Sequence, residues 1–363
     1  MIFNNEHKED LIKIAKKLKF KSQSYPQDEK GEPTKLYLEY LSLMYDPEIA
    51  KLVVELPVFP ETMSIMKFAK KVNIDKNGLI AKLERVVKRG FVLKLGRHYA
   101  QPMPLFIWDM PFILAENYEN NKQDTVKLAE LSRKFFIDDK YYKTWQTNRK
   151  GVPRFRVLTV SEEVEPGQEI IPIEEVYKII DKWDDFAIIP CPCRMRNEIE
   201  GIRKCKDKYP IHNCVLLGPN AKAILEMGDP YVKAASREDI KSLTKEASDV
   251  GLVHCTDNRA ENCNILCACC ECCCGMLRGL VELDNPRAVA KANFLSSIDK
   301  DACVGCNTCI ERCKFKAITL DDFAIVDPNK CVGCGLCATT CPNDAITMIR
   351  FEREEIPGAK VKT

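Results

Sequence analysis

The sequence predicts an α+β chain of several domains, and three observations predict it. Apolar residues recur at helical spacing through much of the first 100 residues. Strand-like runs and helical runs are interspersed between about 150 and 190. All 20 cysteines then follow residue 190, twelve from Cys191 to Cys274 and eight from Cys303 to Cys341. With 363 residues the chain is long enough for two or three buried cores. A net charge of +2, with 45% hydrophobic and 30% charged residues, is ordinary for a globular protein. Total charge therefore selects no partner, and local charge has to do so.

The elements follow in order. Residues 1–35 read as a basic helical arm and a polar linker, with Leu11, Ile12, Ile14, Ala15 and Leu18 apolar and SQSYPQDEKGEP breaking the pattern. LYLEYLSLMY reads as a helix, and Pro47 can open the next in its first turn. Ile65, Met66, Phe68, Ala69 and Val72 mark a third helix. A fourth starts at an Asp75 cap, carries Leu79, Ile80, Leu83, Val86 and Val87 on one face, and stops at Gly90. FVLKLGRHYA reads as two short strands around Gly96. Residues 101–190 form a mixed connector, with helices near 123–136 and 173–183 and strands in FRVLTV and DFAIIP. Ser236 and Asp239 suggest a capping box, with Ile240, Leu243, Ala247 and Val250 as the buried helix face. The expected domains are 1–35, 36–100, 101–190, a cysteine-rich 191–275, a linker 276–295, 296–350 and a tail 351–363.

Dense cysteine means disulfides outside the reducing compartments and metal inside them. The start MIFNNEHKED has no apolar signal core, and no run reaches the ~18 apolar residues of a membrane helix. The expectation is a cytoplasmic protein without membrane contact, whose thiols bind metal.

Two segments, CVGCNTCIERCKFKAIT and CVGCGLCATTCPNDAIT, repeat at an offset of 28 residues. Asp299, Cys303, Val304, Gly305, Cys306, Cys309, Cys313, Ala317, Ile318 and Thr319 each recur identically. This resembles the bacterial-type two-[4Fe–4S] ferredoxin repeat over about 55 residues. Three cysteines at C-x2-C-x2-C wrap one cubane, and the fourth ligand comes from the other repeat. The resemblance thus implies one cluster on Cys303, Cys306, Cys309 and Cys341, and another on Cys331, Cys334, Cys337 and Cys313. Gly305 and Gly333 allow the tight loop and the approach of backbone N–H groups to sulfur. Eight cysteines in a twofold repeat argue against zinc. The family carries proline after the fourth cysteine of each run. Pro342 conforms, but Lys314 does not.

The twelve upstream cysteines read as two sets. Cys191, Cys193, Cys205 and Cys214, in CPCR…C…HNC, suffice for a third cluster or one zinc ion. Arg194, Arg196 and Arg203 stand beside them in sequence and would offset cluster charge, and His212 is read as a hydrogen-bonding neighbour. Cys255, Cys263, Cys267, Cys269, Cys270, Cys272, Cys273 and Cys274 far exceed any packing need and offer a fourth site, its ligands open. The whole arrangement resembles a group of iron–sulfur proteins of anaerobes, which implies redox work without defining a reaction.

Residues 61–98 hold ten Lys/Arg and three acids. FAKKVNIDKNGLIAKLERVVKRGFVLKL is similar to winged helix-turn-helix domains, in which a second helix enters the DNA major groove. Lys76, Lys82, Arg85, Lys88 and Arg89 would then project from the recognition helix toward phosphates, or toward an acidic protein partner. No dinucleotide loop, Walker A motif or C-x-x-C-H haem site occurs. The leading expectation is an electron-transfer protein serving a redox partner. The alternatives are a redox-sensing DNA-binding regulator and a redox enzyme with a substrate-binding cluster.

Overall fold

The computed structural model describes residues 4–18, 25–148, 150–160, 164, 175–259, 261–351 and 353. Part of the expected 1–35 arm, the start of the helix expected at 173–183 and nearly all of the 351–363 tail lie outside these residues. The described chain is α+β as expected, with helices and several small sheets. None of its helices is long and apolar enough to cross a membrane.

The chain divides into two units. One comprises Met1–Trp145, Pro190–Arg203 and Ala223–Val232, and the other Gln146–Ile189, Lys204–Lys222 and Lys233–Thr363.

The first unit is mainly helical, and side-chain caps set its helix starts. Thr34 caps Lys35–Met44, Asp46 caps Pro47–Val53, Ser64 caps Ile65–Val72 and Asp75 caps Lys76–Lys88. Each supplies an oxygen to a backbone N–H that has no partner in the first turn. Pro47 sits in the first turn, where its missing N–H costs nothing. Strand β1 (Met63–Ser64) and the hairpin strands β2 (Leu93–Leu95) and β3 (His98–Ala100) form a sheet in the order β1-β3-β2. The hairpin turns at Gly96, which has φ +58. Helix Lys122–Ile137 fulfils the expectation at 123–136. Its Phe135 meets Tyr37 and Tyr40 edge-on, and Phe136 stacks with Trp108.

The second unit is built on a six-stranded sheet. Its strands are β4 (Phe155–Val157), β5 (Phe186–Pro190), β6 (His212–Leu217), β7 (Lys233–Ala235), β8 (Val253–Asp257) and β9 (Ile265–Cys269), in the order β4-β8-β9-β6-β5-β7. Helix Arg237–Asp249 packs on it and starts with the Ser236/Asp239 capping box. Its buried face is Ile240, Thr244, Ala247 and Ser248, with Leu243 partly buried. Val250, expected on that face, is the C-cap and is exposed. Two further ribbons follow: β10 (Phe294–Ile298) pairs antiparallel with β13 (Ile346–Arg350), and β11 (Ile318–Leu320) with β12 (Ala324–Val326).

Candidate metal centres

The 28-residue repeat becomes a repeat of contacts. Cys303 N–H donates to Asp299 O at 3.0 Å, and Cys331 N–H to Asp327 O at 2.9 Å. Ala317 N–H points at Cys313 Sγ at 3.4 Å, and Ala345 N–H at Cys341 Sγ at 3.3 Å. A short helix, Thr308–Arg312, spans Cys309 to Cys313, and a 3-10 turn, Ala338–Thr340, spans Cys337 to Cys341. Residues 28 apart thus make matching backbone contacts.

The cysteines gather in the interleaved sets that the resemblance implies. Cys303, Cys306, Cys309 and Cys341 line one cavity with about 380 Å3 of empty space. Cys313, Cys331, Cys334 and Cys337 line another with about 370 Å3. We call these the front and rear sets. Both fit a cluster, because four sulfurs line each cavity and backbone N–H groups reach the sulfurs. Gly333 shows how close the packing is. Its φ is +74, and a Cβ there would stand 2.4 Å from Phe294 O.

The two sets differ in exposure. Beside the front set, Cys306 is exposed, Val304 is 66% exposed and Leu320 is 40% exposed. In the rear set, Cys331 and Cys337 are buried, and Ser296 Oγ lies 3.0 Å from Cys337 Sγ. Burial pushes the Cys337 thiol up to about 12, against the pull of Ser296, and raises Cys334 well above the usual thiol range. Such thiols stay protonated until a cation replaces the proton.

The upstream cysteines fall into groups other than the two expected from sequence. Cys191 and Cys193 belong to the first unit, Cys205 and Cys214 to the second. Cys214 on β6 lies opposite Cys267 on β9, and Cys267 opposite Cys255 on β8. Directly opposed residues share a sheet face, and Cys269, two residues beyond Cys267, shares it too. The thiols of Cys214 and Cys269 interact with that of Cys267, and those of Cys255 and Cys274 with that of Cys269. One sheet face therefore gathers five thiols. They border the rear set, since Cys255 feels the charge of Cys334. Segment 157–160 joins the two: Leu158 N–H donates to His254 O at 2.9 Å, Val160 N–H to Cys334 O at 3.2 Å, and Thr159 Oγ1 to Gly333 O at 2.8 Å.

Cys205 joins a different group. Its Sγ lies 4.0 Å from that of Cys270 and 3.7 Å from that of Cys273, and Cys272 Sγ lies 3.7 Å from Cys273 Sγ. Hydrogen bonds from Cys270 and Cys273 pull the Cys272 thiol down to about 5. Cys263 sits in an apolar cluster with Leu158, Val215 and Leu266, where it accepts from Arg156 Nη2 at 3.2 Å. His254 Nε2 bonds Ser248 Oγ at 2.8 Å, and burial lowers the pKa of His212.

Two of the three arginines expected to offset cluster charge pair with acids. Arg196 pairs with Asp109 at 3.1 Å and lies over the Trp108 ring, and Arg203 pairs with Glu198 at 3.3 Å. The basic helix Lys76–Lys88 is similarly occupied. Lys82 pairs with Glu48, Arg85 with Asp46 at 2.9 Å and Lys88 with Glu84 at 2.9 Å. Arg89 does not project at all. It is buried, and it donates to Asn117 and Asp124.

Thiols in these numbers and arrangements define a metal-binding protein of the iron–sulfur class. The comparisons agree: a family model described as a 4Fe-4S dicluster domain matches residues 296–348. No curated protein and no solved structure matches the chain.

Proposed function

We propose that this chain is an iron–sulfur electron-transfer protein that exchanges single electrons with a partner oxidoreductase. In this reading the front set (Cys303, Cys306, Cys309, Cys341) and the rear set (Cys313, Cys331, Cys334, Cys337) each hold a [4Fe–4S] cluster. A third cluster draws its ligands from Cys255, Cys267, Cys269 and Cys274, with Cys214 alongside. Such clusters supply one-electron exchange at sulfur-ligated iron.

One observation carries the proposal: the two cysteine sets of the repeat differ in exposure. At the front set Cys306, Val304 and the neighbouring Leu320 are exposed, while in the rear set Cys331 and Cys337 are buried and Cys313 and Cys334 half-buried. Apolar side chains around an exposed cluster loop suit brief docking of a redox partner. The rear set adjoins the five-thiol face, which extends the route inward. The front loop is thus the outlet and the sheet face the inner terminus.

The first unit is read as a winged-helix-like module that docks protein. Support for this reading comes from the order of helices Ile65–Val72 and Lys76–Lys88, the hairpin that follows them and the β1-β3-β2 sheet. Acid partners on Lys82, Arg85 and Lys88 and the burial of Arg89 favour protein docking over the phosphate contacts of a DNA-binding regulator.

Iron and acid-labile sulfide analysis with an EPR-monitored redox titration of anaerobically purified protein tests the reading. About twelve irons with matching sulfide are expected. Zero iron with bound zinc refutes it, and eight irons confine the clusters to residues 296–350.

A further inference from the structure

We infer that Cys205, Cys270, Cys272 and Cys273 hold a single tetrahedral divalent cation, of the zinc or mononuclear iron class, and no inorganic sulfide. The inference goes beyond the electron-transfer reading and stands independently of it.

Spacing decides the chemistry. Four thiolates at about 2.3 Å from one ion stand about 3.8 Å apart, the edge of that tetrahedron. The sulfur pairs here stand at 3.7, 3.7 and 4.0 Å, and all four atoms lie within 4.8 Å of one another. A cubane has a separate iron for each cysteine, so its ligand sulfurs stand farther apart. The same structure offers the contrast. Among the described residues, this is the one group of three or more such ligands so tightly gathered, while the front and rear sets ring open cavities.

The surroundings fit a buried anionic centre. Cys205, Cys270 and Cys273 are at most 6% exposed and pack with Tyr209, Ala247, Leu252 and Ala268. Two ammonium groups, Lys208 and Lys314, share the Tyr209 ring at 5.2 and 5.9 Å. Like charges assemble there because negative charge is near. Glu271, between Cys270 and Cys272, gives part of it through its pair with Lys314 at 3.8 Å. Four thiolates around a divalent ion leave a net −2 for the rest. Lys314 follows the rear-set Cys313 directly. Through the Lys314–Glu271 pair the cysteine-rich loop is fastened beside the rear set, and the residue that breaks the proline rule is the fastener.

The test compares the full chain, purified anaerobically, with Cys205→Ser and Cys273→Ser. Each variant is expected to lose one ion per chain and no acid-labile sulfide, and elemental analysis tells zinc from iron. Where that metal is zinc, X-ray absorption at its edge should give, in the unaltered protein, four sulfurs at about 2.3 Å and no metal neighbour; where it is iron, Mössbauer spectra of the unaltered protein should show one tetrathiolate iron separate from the cluster irons. That measurement decides the matter where a variant fails to fold. Loss of several irons together with sulfide overturns the inference, as does unchanged metal content in a folded variant.

Discussion

Ser296→Ala tests whether the rear set ligates a cluster, because it alters one contact to one ligand sulfur. Ser296 Oγ lies 3.0 Å from Cys337 Sγ, and the residue is buried on β10. A metal-bound thiolate can only accept, so the hydroxyl donates. Reduction places more negative charge on the sulfurs and strengthens that bond. A net hydrogen bond is worth roughly 0.5–1.5 kcal/mol, and those to charged groups more. If about 1 kcal/mol of it favours the reduced state, its loss lowers the potential by ~40 mV, since 59 mV is tenfold for one electron. An EPR-monitored titration should show one wave moved down by ~40 mV and the others in place. Ser297→Ala is the control, because successive strand residues face opposite sides. An upward shift, equal shifts of all waves, or no shift with all clusters present would refute the reasoning.

Other perturbations follow from the same contacts. Gly333→Ala should abolish loading of the rear cluster, because its Cβ would stand 2.4 Å from Phe294 O. Gly305→Ala meets nothing closer than 3.8 Å and should cost only the roughly 1–2 kcal/mol of its φ of +66, read as iron content and melting temperature. Arg196→Met leaves Asp109 buried without its ion partner and should cost about 3–5 kcal/mol in thermal or denaturant unfolding. Burial already holds Asp109 up at about 6 against the pull of Arg196. The folded state thus binds that proton more tightly than the unfolded one. Its contribution is complete below pH 4 and is lost as pH rises through 6. In Arg196→Met the loss should move to higher pH, visible in melts across pH 4–8. Val304→Lys should slow electron exchange with a partner by several-fold at low salt while leaving the iron content intact.

Local chemistry was legible in the sequence wherever neighbours in the chain decide it. Asp75, Pro47 and the Ser236/Asp239 box start their helices as expected, because a cap needs only the next three residues. The grouping into front and rear sets comes from the spacing of the repeat, and the cysteines so grouped line two cavities. The upstream thiols were not. Strands β6, β8 and β9 are short, five or six residues each, so their alternation does not announce a sheet. It is β pairing that sets Cys214, Cys267 and Cys255 side by side across three strands. Cys205 meets Cys270 and Cys273 more than 60 positions away, which no local spacing encodes. The basic side chains misled for the same reason. Arg89, Arg196 and Lys82 look free in sequence, but acids on other elements take them.

Lys314 shows what a departure from a repeat can mean. Proline at that position would serve only the turn after Cys313. Lysine keeps the turn, since Ala317 N–H still reaches Cys313 Sγ at 3.4 Å, as Ala345 N–H does Cys341 Sγ after Pro342. Its ammonium, 8% exposed, lies instead against Glu271 in the cysteine-rich loop. The rear set faces the rest of its unit, whereas the front set, with Cys306 exposed, reaches solvent. A docking charge is useful only on the buried side, and only there is the rule broken. The same asymmetry separates an exposed, partner-facing cluster loop from one joined to further metal centres. Lys314→Met should therefore cost about 1–2 kcal/mol of stability by removing one partner of a mostly buried pair. It should leave both ferredoxin-type clusters loaded. Loss of the rear cluster in that variant would mean that Lys314 supports ligation itself.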